Sequence, residues 1–402
     1  MREKTDIVIT GGGMVGMSMA IALARLGLFV TVLEKTPLST QLEPMFDGRV
    51  SALALGSVRM LAAIGAWEGM KPYAEPICDI RVSDGESPFF VHYDHRDIGD
   101  EPFGHIVENR YIRHALHEAA ARLPSLTIIG QARVASFAAD EKSALVTLED
   151  GREFSAALVL AADGKQSSLR SLAGIGVTTR DYRQTAIVAT IAHERPHRGL
   201  AQERFLPAGP FAVLPMTEQR SSLVWVEPSD RAPLYMELPK EECEQEITER
   251  VGDYLGNITL AGERFAYPLS ASHADDYIAT RLALIGDAAH GIHPIAGQGV
   301  NLGFRDVAVI EELVCKQRAL GLDIGAPALL EHYRRWRRFD NVSMLAVTDG
   351  LNHLFCSSLL PVKTARGLGM WGVQRLPVLK RFFMKHAMGL VGDLPETFRK
   401  VG

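Results

Sequence analysis

Apolar residues recur along this chain in two rhythms. Asp6–Thr10 (DIVIT) is a short apolar run. Val15–Leu26 carries apolar residues at helical spacing and stops at Gly27. Phe29–Leu33 is a second apolar run, followed directly by Glu34. Two buried runs around a helix-spaced segment predict a βαβ unit at the start of the chain. Arg110–Leu123 predicts an amphipathic helix, and Leu126–Ile129, Arg133–Ala138 and Ala144–Glu149 predict strands around a hairpin. Ala157–Ala161 and Leu282–Ile285 are wholly apolar and predict strands buried on both faces.

The rhythm changes between Ala186 and Ser270. Ala186–His193, Glu203–Leu206, Phe211–Met216 and Ser222–Val226 alternate or run apolar with Pro and Gly between them. They predict an antiparallel sheet, with one helix near Glu241–Tyr254. A long helix is expected from about Gly299 to Gln317, and helix from Leu329 nearly to the end. The nucleotide-type pattern thus lies on both sides of a β-rich insert, which predicts a discontinuous cofactor domain.

Composition narrows the class. The chain has 402 residues, 47% hydrophobic and 23% charged, with net charge −5. That fits a folded protein with a large core and argues against nucleic acid as the main partner. Cys78, Cys243, Cys315 and Cys356 form no CxxC pair. This fits a reducing compartment and no zinc ribbon or Fe–S site. The N-terminus enters a strand at once, so no secretory signal is expected. No run of 18 apolar residues predicts a spanning helix. The charge is uneven. From Pro361 to Gly402 eight Lys and Arg face two acidic residues, a net of +6 that leaves −11 for the rest. The tail is a basic segment on an acidic body.

Three clusters carry candidate chemistry. Gly11-Gly-Gly13-Met-Val-Gly16 matches GxGxxG between a strand and a helix. Gly11 allows the tight turn, Gly13 lets backbone approach a diphosphate, and Gly16 lets helix and strand pack closely. Glu34 ends the next strand, where it can accept ribose hydroxyls. Its charge disfavours a 2′-phosphate, favouring FAD or NAD over NADP. The second cluster, Asp163-Gly-Lys-Gln-Ser167-Ser-Leu-Arg170, follows a buried strand. By itself it reads as a turn with a Ser cap starting a helix. The third, GDAAHGIHPIAGQGVNLGF from Gly286 to Phe304, puts Asp287 at a strand's carboxyl end, where ligands of α/β sheets bind. Gly297 and Gly299 bracket a helix start whose N–H groups would face an anion. His290 and His293 are two candidate ligands where a metal site needs three or four, so no metal is expected.

In this order and at these separations the three clusters resemble the aromatic-ring hydroxylases of the p-hydroxybenzoate hydroxylase class. A closer resemblance is to the ubiquinone-biosynthesis flavin monooxygenases. It rests on AAHGIHPIAGQGVNLGFRD (Ala288–Asp306), DGRVSAL (Asp47–Leu53), VENRYIR (Val107–Arg113), FLPAGPFAVLP (Phe205–Pro215) and the tail from Arg375 to Gly389.

The resemblance implies an α/β chain with a Rossmann-like, discontinuous FAD-binding domain, an antiparallel β-sheet substrate domain and a C-terminal helical region. The expected division is 1–75, 101–181 and 274–320 for FAD, 76–100 and 182–273 for substrate, and 321–402 for the basic helical region. It implies FAD, with NADH or NADPH as co-substrate, hydroxylating a polyprenylated ubiquinone precursor with O2 through a flavin C4a-hydroperoxide. Expected flavin contacts are Gly11, Gly13, Gly16, Glu34, Arg49, Asn109, Asp163, Gly286, Asp287, Gly297, Gln298, Gly299 and Asn301. Pro294 is expected at the ring edge and His293 beside the reaction. The base for a phenolic substrate stays open between His293, His290 and a water. The other readings are hydroxylation of a small soluble aromatic acid, or a non-catalytic flavin-binding subunit of a quinone-biosynthesis complex. The basic tail reads either as helices packed on the body with their charges solvated, or, as the resemblance implies, as a surface for a membrane or other quinone-biosynthesis proteins. The expected location is the cytoplasm, including the inner face of the membrane.

Overall fold

The computed structural model describes residues 2–41, 48–85, 87, 89–293, 297–356 and 359–399. Its first layer is a six-stranded sheet. The strand order is Ile278–Ala279, Leu282–Leu284, Leu158–Ala161, Ile7–Thr10, Val30–Leu33, Leu126–Ile129. Every neighbouring pair is parallel except the first. The central strands are buried throughout, as their unbroken apolar runs require. Strands far apart in the chain meet here, so the fold is the expected α/β type with a discontinuous nucleotide-binding sheet. Helix Met14–Arg25 packs on it beside helix Gly299–Ala319. The two lie so close that a methyl group on Gly303 would stand 2.5 Å from Val15 Cγ2.

The β-rich insert contributes most strands of a nine-stranded sheet. Along its main path lie His290–Gly291, Phe265–Ala274, Val177–His193, Arg220–Pro228, Gly209–Met216, Leu200–Leu206, Asp79–Asp84 and Phe90–Asp94. Ile258–Leu260 pairs with Val177–His193 off that path. One face carries Ile187, Phe211, Val213, Leu223 and Trp225, covered by Cys243, Ile247 and Val251 of helix Lys240–Val251. The alternate residues point the other way, toward a cavity.

Several elements differ from the sequence expectation. The strand expected from Ala186 begins at Val177. Its first part pairs with Phe265–Ala274 and crosses an irregularity between Asp181 and Gln184. Strands Asp79–Asp84 and Phe90–Asp94 are unexpected: their alternation is short, Ile80 and Val82 in one and Val91 and Tyr93 in the other, and they pair at the sheet edge. The C-terminal helix is three helices, Pro327–Cys356, Leu360–Arg375 and Pro377–Ala387. Pro361 and Pro377 each sit in a first turn, where a missing N–H costs nothing and continuation of the preceding helix is blocked.

Candidate active site

The glycine turn is built as its spacing requires. Gly11 has φ +95°, and a Cβ there would lie 2.3 Å from the Ala162 carbonyl oxygen. A Cβ on Gly16 would lie 2.0 Å from the Gly11 carbonyl oxygen, whereas one on Gly13 would meet nothing within 4 Å. Gly11 and Gly16 are thus packing glycines, and Gly13 faces open space at the cavity wall. Helix Met14–Arg25 begins there with no side-chain cap and no acidic residue in its first turn. Its first N–H groups are therefore open to an anion. Glu34 is buried, accepting hydrogen bonds from Gly12 N (2.6 Å), Thr36 N (2.9 Å) and Thr36 Oγ1 (2.7 Å).

The second cluster contains both the cap and a link to the third. Ser167 Oγ accepts from Arg170 N at 3.0 Å and starts helix Ser168–Leu172. The buried Arg170 guanidinium donates to the carbonyl oxygens of Ala288 (2.9 Å) and Lys165 (3.1 Å). Asp163 Oδ2 accepts from Ser168 Oγ and Leu169 N, both at 3.2 Å. Its buried Oδ1 has no partner among the described residues. Lys165, which the motif reading passed over, lines the cavity and donates to the Ser270 carbonyl at 2.9 Å and to the Ser270 hydroxyl. The cationic residue inside the DGxxSxxR spacing was the available signal.

In the third cluster Gly286 turns with φ +56° against Val15, and its N–H donates to Asp306 Oδ2 at 2.9 Å. Gly286 therefore shapes the turn and does not line the cavity. The next residue, Asp287, lines the cavity and is exposed toward it. Loss of solvation inside the protein raises its pKa, and His290 and Lys165 oppose that rise. His290 Nε2 pairs with Asp306 Oδ2 at 2.7 Å, and Arg337 Nε donates to Asp306 Oδ1 at 2.7 Å. All three side chains are buried, so His290 is tied to a structural ion network behind the loop. Burial alone would raise the Asp306 pKa. The charges and hydrogen bonds of His290 and Arg337 overcome it and hold the carboxyl below its ordinary range.

The helix Gly299–Ala319 starts at the cavity wall with no side-chain cap and no acid in its first turn. Gly297, Gln298 and Gly299 line the wall, and a Cβ on Gly299 would meet nothing within 4 Å. Asn301 has a different task from the one expected. Its Oδ1 accepts from Ala54 N (2.9 Å) and Ser57 Oγ (2.8 Å), and its Nδ2 donates to Ala52 O (2.8 Å) and Gly297 O (3.1 Å). With those contacts made, it clamps strand Val50–Ala54 to the helix start. His293 is fully buried, edge-on to Tyr182 with Nε2 3.4 Å from Gln184 Oε1. Its neighbour Ile292 lines the cavity and the His293 ring does not. Burial lowers its pKa to about 4, so the ring is neutral at physiological pH. Pro294 lies outside the described residues.

Asn109 is buried at the start of helix Asn109–Ala121, where its Oδ1 accepts from Ser51 Oγ at 2.7 Å. Arg49 is exposed, 5.8 Å from the Tyr267 ring centroid, and its carbonyl oxygen accepts from Asn109 N. These two are joined to each other and to strand Val50–Ala54, and neither lines the cavity.

One cavity of about 1230 Å³ joins these parts. It runs from Gly13, Asp287 and Gly297–Gly299, past Ala212, Leu214, Val224 and Val226 of the large sheet, to Met370, Val373, Phe382 and Phe383 of the C-terminal helices. The glycine faces and two open helix starts fit a diphosphate and an electron-accepting ring at one end of it.

The comparisons agree with this construction. The model of the FAD binding domain family matches residues 4–341. A ubiquinone hydroxylase of Rhodospirillum rubrum, UbiL, is 49% identical over 397 residues, covering 99% of this chain and 92% of its own length. The 3-demethoxyubiquinol 3-hydroxylase of Escherichia coli is 33% identical, covering 96% and 99%. In fold, the chain resembles p-nitrophenol 4-monooxygenase from Pseudomonas putida, with a TM-score of 0.77 at 18% identity over 96% of this chain and 98% of that one. The matched family, the relatives and the assembled cradle place this chain in the FAD-dependent aromatic-ring monooxygenases, as a member of the ubiquinone-biosynthesis hydroxylase family.

Proposed function

We propose that this protein hydroxylates the aromatic ring of a polyprenylated ubiquinone precursor, with O2 and NADH or NADPH as co-substrates. The observation that carries this reading is the cavity, continuous and mostly apolar from the glycine cradle to exposed residues of the C-terminal helices. An aromatic head can sit at the large sheet while an isoprenoid tail follows the apolar wall outward. Bound FAD would take a hydride from the nicotinamide and activate O2 to give one oxygen atom to the ring.

In this reading the protein positions, orients and excludes water. Gly13 and the N–H groups after it hold the diphosphate. Asp287 holds the ribityl chain. The N–H groups at Gly297–Gly299 stabilise negative charge on the reduced ring system. A soluble aromatic acid fits less well, because it needs a cationic clamp. Of the described lining cations, Lys165 sits at the flavin end and donates to the Ser270 carbonyl at 2.9 Å, and Arg366 is paired with Asp84 at 2.6 Å, while the charged residue on the strands around Ala212 is Glu203. Purified protein is expected to bind FAD. With NAD(P)H, 18O2 and a short-chain prenylphenol it is expected to release a product carrying one labelled oxygen. Flavin binding without labelled product would instead make the chain a non-catalytic subunit.

The C-terminal helices extend the proposal to a membrane surface. Trp371 (50% exposed) and Val378 (85%) stand outside with Leu368, Leu376 and Phe382, interleaved with the exposed Lys363, Arg375, Arg381 and Lys385. Among the described residues no helix is long and apolar enough to cross a membrane. A surface of this kind can instead lie at the lipid boundary, held by apolar burial and anionic headgroups. The doubly substituted Arg381→Ala, Lys385→Ala protein is expected to bind vesicles containing anionic lipid roughly 30-fold more weakly, from about 1 kcal/mol per basic residue. Vesicle flotation measures this. Equal flotation of both proteins would leave the surface to a protein partner.

A further inference from the structure

We infer that Glu203 is the group that accepts the phenolic proton of the substrate, a role that rests on the hydroxylase reading above. Glu203 lies on strand Leu200–Leu206, opposite Ala212 on one side and Val82 on the other. All three line the cavity. Its neighbours on that wall, Ala201, Phe205, Pro210 and Leu214, are apolar. Among the described lining residues the carboxylates are Asp287, at the flavin end, and Glu203, on the sheet.

Glu203 makes no hydrogen bond or ion pair with any described residue. A charge placed in an apolar wall without a partner costs stability. The cavity is the direction from which a partner can come, and a hydroxyl on an aromatic ring lying against the sheet would supply it. Burial raises the Glu203 pKa to about 7, so the carboxylate is present at neutral pH and is more basic than an exposed one. The titratable groups around it are few. Tyr93 on the same wall stays protonated, its pKa raised to about 12 by burial. Asp84, opposite Phe205, is held by Arg366. His386 lies on the helical wall with its pKa lowered, first by burial and then by Arg305.

The step balances without a further reagent. The phenolic O–H bond breaks as an O–H bond forms on a Glu203 carboxylate oxygen. The electron pair left on the ring oxygen enriches the ring carbons ortho and para to it. One of them would form a C–O bond to one atom of the O2 that bound FAD activates; the O–O bond breaks, and the other oxygen leaves as water with the two electrons that NAD(P)H supplies. The ring carbon then loses its hydrogen to water, and Glu203 returns its proton to the ring oxygen. His293, buried away from the wall and neutral, takes no part.

The test compares FAD-loaded parent, Glu203→Gln and Glu203→Leu proteins with a short-chain prenylphenol and its methyl ether. In the parent, the phenol is expected to bind about 10- to 100-fold tighter than the ether at pH 8, as for a hydrogen bond to a charged group. That preference should fade as pH falls through 7, where the carboxylate is protonated. In Glu203→Leu it should drop to a few-fold and lose its pH dependence. Hydroxylated product per NAD(P)H should fall about 100-fold in Glu203→Gln, with FAD content unchanged. A more acidic, fluorinated phenol should recover part of that loss. Parent-like ether discrimination and a parent-like pH profile in Glu203→Leu would overturn the assignment while leaving the hydroxylase reading intact. A parent protein that binds FAD but neither phenol nor ether would overturn the hydroxylase reading itself.

Discussion

Gly16→Ala protein is expected to purify colourless, with no FAD retained and a lowered melting temperature. The methyl group would stand 2.0 Å from the Gly11 carbonyl oxygen and 3.2 Å from Ala162 Cβ. No rotamer relieves contact with backbone, so helix Met14–Arg25 must move away from the strand it packs on. Overpacking of this kind costs about 1–3 kcal/mol in a well-packed core. Here it also displaces the N–H groups that are to meet the diphosphate. Gly13→Ala is the contrasting variant. A Cβ there meets nothing within 4 Å, so the protein should fold with parent stability. It should bind FAD roughly 10- to 100-fold more weakly, as when one or two hydrogen bonds to a charged group are lost. Thermal unfolding of the apoproteins and flavin titration separate the two. If Gly13→Ala loses stability and Gly16→Ala keeps flavin, the division between packing and ligand-facing glycines is wrong.

Asp306→Ala should be the most damaging substitution away from the cavity, costing about 3–5 kcal/mol in urea unfolding of the apoprotein. Asp306 and Arg337 are both 0% exposed, and the carboxylate accepts from Arg337 Nε, His290 Nε2 and Gly286 N. Removal leaves Arg337 with Asp340 and Asn341 but without its buried counter-charge. The same substitution frees the turn that carries Asp287, so flavin affinity should fall along with stability. The pH dependence has a defined sign. The folded pKa of Asp306 lies below its ordinary value, so its contribution is present at neutral pH and lost as pH falls through that lowered value. Parent protein should therefore lose stability on acidification more steeply than Asp306→Ala. Parallel acid profiles for the two would sink this account.

The cofactor half of the molecule was legible because its chemistry is local. A tight turn, a close approach and a helix start must follow a strand within a few residues, so their spacing is written in the chain. Gly11, Gly13, Gly16, Asp287 and Gly297–Gly299 were read that way, and the structure puts them at or beside one cavity. Asn301 and His290 differ from that pattern. Both stand inside a flavin-type motif, yet Asn301 is consumed by Ala52, Ala54, Ser57 and Gly297, and His290 Nε2 is held by Asp306 behind the loop. A motif records which residues occur together. It does not record which partners exhaust their hydrogen-bonding capacity.

The sequence by itself determined the α/β class, the order of the cofactor segments, the β-rich insert and the basic, apolar tail. Each depends on periodicity or on turn chemistry over a few residues. Tertiary structure alone decided which side of the large sheet faces the cavity, since that follows from strand register. It also decided that residues within 344–355 and 365–387 close the far wall, and that Glu203 stands across from them on the sheet, between Val82 and Ala212. A glutamate in an alternating strand looks like a solvent-facing residue. Only packing from distant segments withdraws it from bulk solvent into the cavity wall, and that loss of solvation raises its pKa.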